Sequence, residues 1–465
     1  MKSFTTPPQQ SRPHPGSGSA PLVPGIGSRV AEFFRFDQLG TNFRREFAAG
    51  LTTFVTMAYI IAVNPAILKA AGIPEGPSMV ATIATAIFGT LVMGLYANRP
   101  FAVAPYMGEN AFVAFTVVRA LGWRWQTALG AVFLAGLLFS ALTAARVRRW
   151  MVEAVPAGLR YSFATGIGLF LAFIGLNETA IVTVGVPGAP VRIGNLISPG
   201  ALVATFGFIV IAVLMIRRIP GAILIGIVAS SIVAFACGVA RAPSGLISMP
   251  PNPAPIMLKL DLRGALRPDF FGVLLTIFVM ALVDTMGTLL GVSARAGLLD
   301  EAGNLPQIER PMLADALATA FAALAGTTTA GAFVESAAGV SAGGRSGMTA
   351  VVVAALFALS LFFAPFVTAI PPQAYGPALV IVGALMIEPV TKIDFADYTE
   401  LIPAFATIAL ISFSYNIGVG ISAGFVLYVI FKIGAGRYRE IRPGLWILSL
   451  LSLMFFAFYP YHPGA

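Results

Sequence analysis

The chain has 465 residues, 57% of them hydrophobic and only 11% charged, with a mean hydropathy of +0.86. Such values exclude a soluble globule and describe a polytopic membrane protein, with room for about a dozen or more spans of roughly 20 residues. The net charge of +9 does not point to nucleic acid, because the basic residues sit in short loops between hydrophobic runs.

Residues 1–28 are rich in Pro, Ser and Gly and read as a disordered tail. Ala31–Arg45 mixes phenylalanines with arginines and reads as an interfacial lead-in. Hydrophobic runs then predict spans at about 46–68 and 78–97, a broken segment at 101–119, and spans at 126–145, 155–176, 200–216 and 220–240. A polar, Pro-rich loop, Arg241–Asp269, divides the halves. Spans follow at about 270–292 and 312–326, then a second broken segment at Gly326–Ser346, then spans at 346–368, 376–388, 401–415 and 417–434. Gly444–Tyr459 either lies in the interface or crosses. Arg99, the Arg146–Arg149 cluster, Arg217–Arg218, Arg345, Lys392 and the Lys432–Arg442 tail fall on one side of this layout. That bias predicts a cytoplasmic amino terminus in the cell (inner) membrane.

The two broken segments match. Glu109-Asn110-Ala111 answers Glu335-Ser336-Ala337, and the helices before them share Ala84-Thr85-Ala86 and Ala318-Thr319-Ala320. Gly50–Gly72 answers Gly272–Gly297 more weakly. Three matches in one order, at offsets of roughly 225 to 235 residues, predict an internal duplication. Seven spans per half is odd, so the copies insert in opposite directions as an inverted repeat. Each broken segment reads as extended backbone followed by a half-helix. Irregular backbone at membrane depth is tolerated only where protein buries it or water lines it.

Glu335 stands at one such junction. A capping role explains an acid at a helix start, but serine would cap without the charge penalty of about 2.5–3.5 kcal/mol in the bilayer, so a functional role is favoured. Asp284 lies well inside the eighth span with Thr285 beside it and Thr288 on the same face, while Gly287 and Gly291 would allow close helix approach. Its alternatives are helix packing through the threonines and a functional carboxyl. Asn110 either caps its half-helix or offers donors and an acceptor to a heteroaromatic edge. Ser336 caps or adds a hydroxyl contact. Glu109 points about 100° away from Asn110, so it joins the site, pairs with a cation or reaches water. Asp315 and Glu153 read as helix-start acids. Phe112, Phe115 and Phe333 either stack on a flat ligand or pack. Cys237 is the only cysteine, and His14 and His462 lie in the tails. No disulfide framework, cysteine metal site or intramembrane histidine relay is therefore expected, and no cofactor. A membrane enzyme is disfavoured for the same reasons.

Several stretches together resemble the xanthine/uracil permease superfamily, and within it the adenine–guanine–hypoxanthine (Azg-like) permeases. They are Gly50-Leu-Thr-Thr-Phe-Val-Thr-Met-Ala-Tyr-Ile-Ile-Ala-Val-Asn-Pro-Ala-Ile-Leu68, Val283-Asp-Thr-Met-Gly-Thr-Leu-Leu-Gly-Val292, Gly303-Asn-Leu-Pro306 and Val334-Glu-Ser-Ala-Ala-Gly-Val-Ser-Ala-Gly-Gly-Arg345. The similarity runs from about Arg44 to Lys432. It implies an all-α polytopic fold of fourteen segments as a 7+7 inverted repeat, with segments three and ten each a short strand plus a half-helix. It also implies a core domain (46–145 and 270–370) and a gate domain (146–240 and 371–436), with flanking regions 1–45, 241–269 and 437–465 and a homodimer through the gate. The implied function is proton-coupled uptake of a purine nucleobase (adenine, guanine or hypoxanthine) by elevator-type alternating access. The alternatives are an anion transporter or a uracil/xanthine-type permease on the same fold. The implied substrate residues are Asp284, Glu335 and Asn110, with backbone near Gly108, Phe333 and Val334; Glu109, Ser336 and Thr288 neighbour them, and Asp284 and Glu335 are the candidates for proton coupling. The family pattern Pro-Gly-Met-Gly, then an apolar or small residue, then Asn-Ala stands here as Pro105-Tyr-Met-Gly-Glu-Asn-Ala111. Tyr106 and Glu109 leave the choice of base open.

Overall fold

The structure is a computed structural model and describes residues 26–145, 155–186, 189–243, 245, 247–296, 298, 305–414 and 416–458. The tail before residue 26, the Arg146–Arg149 cluster, Glu153, Gly303, Asn304 and both histidines lie outside the described residues. Among those described, nine helices are long and apolar enough to cross a membrane. Helices fall where the hydrophobic runs predict spans, with ends within about one turn.

The first long helix is interrupted. Phe43–Met57 (α1) starts at Asn42, whose side chain accepts from the Arg45 amide at 3.0 Å. It yields at Ala58–Tyr59 to Ile60–Lys69 (α2), which contains Pro65. Pro65 has no amide to give Ile61 O, which weakens the helix about one turn beyond the break. Glu75–Leu95 (α3) returns across the fold and leads into strand β1 (Val103–Pro105), the short helix α4 (Met107–Ala111) and a π-helical stretch, Phe112–Ala120. Trp125–Ala144 (α5) and Ala157–Glu178 (α6) follow.

After α6 comes an antiparallel hairpin that the hydropathy pattern did not reveal, β2 (Val182–Val186) with β3 (Ala189–Ile193), in the register Val184↔Val191. Its β-branched residues suit strand geometry, but five residues are too few to register as a span. The middle loop is ordered against the bundle. Ile256 is buried, the Leu258 amide donates to Leu324 O at 2.8 Å, and Asp261 accepts from the Thr127 hydroxyl at 2.9 Å. The Gly264 amide, and then Thr127, hold the Asp261 carboxyl below the usual carboxylate range.

In the second half, Phe271–Ala296 (α7) and Glu309–Ala325 (α8) precede strand β4 (Ala330–Ala332), the short helix α9 (Ser336–Ser341) and Gly347–Ser360 (α10). Tyr398–Phe413 (α11) and Ile417–Gly434 (α12) pack together. Lys432, grouped in the sequence with the basic Lys432–Arg442 tail, is 1% exposed and meets Glu440 at 2.9 Å, Glu400 at 3.0 Å and Asp397 at 3.7 Å. A lysine is buried at this depth only when paired in this way. Pro443–Phe458, the ambiguous apolar stretch, is helical.

One buried acid ties three segments of the two halves together. Glu46, in the first turn of α1, is wholly buried. Its Oε1 accepts from the Thr41 hydroxyl at 2.6 Å and from the Arg345 amide at 3.0 Å. Its Oε2 accepts from the Thr349 hydroxyl at 2.5 Å and the Thr349 amide at 3.2 Å. The Asn98 side chain accepts from the Gly347 amide at 2.7 Å. The amino-terminal amides of α10, which have no partner within their own helix, are thus satisfied from α1 and from the loop after α3.

Candidate functional site

The centre of the molecule is the crossing of β1 and β4. They pair antiparallel with Val103 opposite Ala332, Ala104 opposite Gly331 and Pro105 opposite Ala330. The ladder continues one step each way: the Tyr106 amide donates to Thr329 O at 3.0 Å, and the Phe333 amide to Ala102 O at 2.9 Å. A two-stranded sheet inside a bilayer has two outer edges to satisfy. Threonines do this on both sides. Thr90 of α3 accepts from the Val103 amide at 2.9 Å and donates to Val103 O at 3.1 Å. Thr319 of α8 accepts from the Ala330 amide at 3.2 Å and donates to Ala330 O at 2.8 Å. Gly331 is required at the crossing, because a Cβ there would run into the Tyr106 hydroxyl.

Two short helices leave this crossing, and the candidate residues stand at their starts. Glu335 precedes α9 with helical backbone angles and makes no side-chain capping bond. Its Oε1 instead accepts from the Tyr59 hydroxyl at 2.5 Å. Val334 beside it is 57% exposed, so the junction borders open space. Ser336 is buried, and its hydroxyl accepts from the Ala102 amide at 3.0 Å, which binds α9 to the strand before it. Phe333 is buried, and its ring lies almost parallel to that of Tyr106, at 5° with centroids 6.3 Å apart.

On the other half-helix, Asn110 is wholly buried and its Nδ2 donates to Asn64 Oδ1. Asn64 in turn donates to Thr82 at 2.7 Å and to Thr327 at 3.0 Å. Among the described residues the Asn110 side-chain oxygen has no hydrogen-bond partner. Tyr59 and Asn64 are five residues apart, about 7.5 Å along a helix axis. The same interrupted helix therefore touches both half-helix starts, Glu335 through Tyr59 and Asn110 through Asn64. Gly108 lies against α6: a Cβ there would stand 2.7 Å from Ile167 Cγ2.

Glu109 neither finds a cation nor reaches solvent among the described residues. It is wholly buried and its carboxyl faces that of Asp284. Neither Glu109 oxygen has a donor while both acids are ionised; a proton on one turns the contact into a hydrogen bond. Asp284 and Thr288 are half-buried on α7, and Thr285 is buried. Gly287 and Gly291 do not serve close helix approach, since an added Cβ at either meets nothing within 4 Å. Asp315 is not a helix-start acid. Glu309 occupies the first turn of α8, while Asp315 is buried further in and accepts from the Ala332 amide of β4 at 3.0 Å.

Four residues at this centre, Tyr59, Asn64, Thr90 and Thr319, are not singled out by the sequence reasoning. Tyr59 and Asn64 are polar groups in an otherwise apolar run, Met57–Leu68, and that alone could have marked them.

Known proteins resemble this chain over most of its length. A family model described as a permease family matches residues 44–427. The adenine permease AdeP of Escherichia coli strain K12 is 40% identical over 92% of this chain and 96% of its own length. The guanine/hypoxanthine permease PbuO of Bacillus subtilis strain 168 is 40% identical over 90% of this chain and 98% of its own. Among solved structures, the transmembrane domain of the cyanobacterial bicarbonate transporter BicA aligns with a TM-score of 0.60 over 82% of this chain and 97% of that domain, at 15% identity. That likeness is one of fold.

Proposed function

From a chain that belongs to the xanthine/uracil permease family, we propose a proton-coupled importer of purine nucleobases: adenine, guanine or hypoxanthine. The observation that carries the reading is the β1–β4 crossing, because it brings the starts of two half-helices from distant parts of the sequence to one centre. A purine carries N–H donors and ring-nitrogen or carbonyl acceptors along flat edges. The free Asn110 oxygen and the second Glu335 oxygen accept from such N–H groups, and half-helix amides donate to the acceptors. Tyr106 and Phe333 offer parallel aromatic faces. Their centroids stand 6.3 Å apart, so the ring planes are no further apart than that and must separate to roughly 7 Å for a base to lie between them with van der Waals contact of roughly 3.5 Å on each side.

In this reading the fourteen segments form two inverted sevens, and segments three and ten are the strand-plus-half-helix units. The core domain (46–145 and 270–370) carries the base past the gate domain (146–240 and 371–436) in an elevator-type movement. The amino terminus is cytoplasmic. The Leu202, Phe206, Ile209 and Val213 face of Pro199–Ile216, half-exposed along the gate, supports assembly of a homodimer in the bilayer. The facing acids Glu109 and Asp284 repel when both are ionised and share a proton readily, which supports proton coupling there. The acids at 109, 284 and 335 also oppose a bare anion, which disfavours anion transport on this fold.

Uptake of labelled adenine and hypoxanthine by a host lacking its own purine permeases, beside labelled sulfate and bicarbonate, tests the substrate class. Accumulation of the anions with no uptake of either base overturns the reading. For coupling, Asp284→Asn in proteoliposomes is expected to abolish the acceleration of uptake by an inward proton gradient. Equilibrium binding should change by less than about tenfold, the worth of one neutral hydrogen bond. Persisting acceleration removes Asp284 from that role.

A further inference from the structure

A cavity of about 340 Å³ lies between the π-helical stretch and the end of α6. That volume is at the lower end of the roughly 300–1,000 Å³ typical of small-molecule sites. One wall is Phe115, Arg119 and Ala120, the other Ile174, Asn177 and Glu178. The spacings explain the walls. Bonding from i to i+5 widens the turn, so residues four and five apart share a face of Phe112–Ala120. On α6 the ordinary i, i+3, i+4 pattern aligns the opposite three.

The cavity continues the seam on which the central site lies. The same two elements meet at Gly108 and Ile167. From there to Phe115 and Ile174 the chain advances equally on both elements, by about 10 Å. The cavity thus opens about two turns from Gly108, past the carboxyl end of the half-helix that carries Asn110.

Its chemistry is bipolar. The Arg119 Nε donates to Ala70 O at 3.0 Å, and the guanidinium stands 5.8 Å over the Phe115 ring. Glu178 accepts from the Tyr375 hydroxyl at 3.1 Å. Among the described residues neither charge has an ion partner, and the cavity separates them. A bare anion would meet Glu178, and a bare cation Arg119. An uncharged heteroaromatic ring satisfies both, donating an N–H to Glu178, accepting from Arg119 and lying against Phe115.

We propose that this cavity is a second, outer binding site for the transported purine, which the base occupies before or after the central site. The inference rests on the purine reading above. The test is equilibrium binding of labelled adenine and hypoxanthine to the purified full chain. Two sites per chain are expected, the outer one weaker. Glu335→Gln should weaken the central site and leave the outer one unchanged. Glu178→Gln and Phe115→Leu should each weaken the outer site at least about tenfold, by loss of a charged hydrogen bond or of an aromatic face. Both variants must elute as monodisperse protein. One site per chain, weakened in Glu335→Gln and untouched by Glu178→Gln and Phe115→Leu, overturns the outer site and leaves the central reading intact. Failure of the wild-type chain to bind either base overturns both.

Discussion

Replacement of Glu335 by Gln is expected to weaken high-affinity purine binding by about 10- to 150-fold, the worth of a hydrogen bond to a charged group. In Glu335→Gln the side-chain amide oxygen can still accept from Tyr59, which in the native chain holds Glu335 Oε1 at 2.5 Å. The amide nitrogen then faces the ligand, so an acceptor becomes a donor opposite the N–H groups of the base. Folding should be untouched. Glu335 makes no capping bond to α9, and the start of that helix is fixed by Ser336 to Ala102. Tyr59→Phe, which removes the donor and keeps the ring, should cost less, about fivefold. Binding measured on monodisperse protein decides the matter, and wild-type affinity in Glu335→Gln would remove this residue from the site.

The second large effect concerns stability. Glu46→Ala leaves the amides of Arg345 and Thr349 and the hydroxyls of Thr41 and Thr349 without their shared acceptor, and Thr349 is wholly buried. Each buried donor left without its acceptor costs about 1–3 kcal/mol. The variant is expected to show a clearly lowered thermal midpoint in detergent, or to fail to accumulate. Glu440→Gln removes one of the three acids around Lys432 and leaves Glu400 and Asp397 in place, so a smaller shift is expected and it serves as the comparison. An unchanged midpoint in Glu46→Ala would show that the interface among α1, α9 and α10 is held by packing alone.

Most of the architecture could be read from hydropathy, because the bilayer allows few ways to satisfy a backbone. The acids that stood out, Glu335 and Asp284, did so for the same reason: a charge in an apolar run has to be explained. What could not be read was partnership. Tyr59 meets Glu335 across most of the sequence, and nothing local to either residue announces the other. Glu46 follows Arg44 and Arg45, so a solvated charge run hid a buried clamp. Asp315 lies near a helix start in sequence, and only the position of β4 shows that it serves the strand. Gly287 and Gly291 failed in the other direction, since small residues permit close approach without causing it.

The threonine-edged sheet also bears on how the protein is made. Translation delivers β1 long before β4. During that interval Thr90 already occupies one side of Val103, but the side of Ala104 that faces Gly331 has no mate until a further half-chain has been threaded into the bilayer. Bare peptide groups in hydrocarbon cost several kcal/mol each. The nascent first half therefore has to shelter that side, in water or against the translocation machinery, and the transport centre is completed as a late event of membrane insertion.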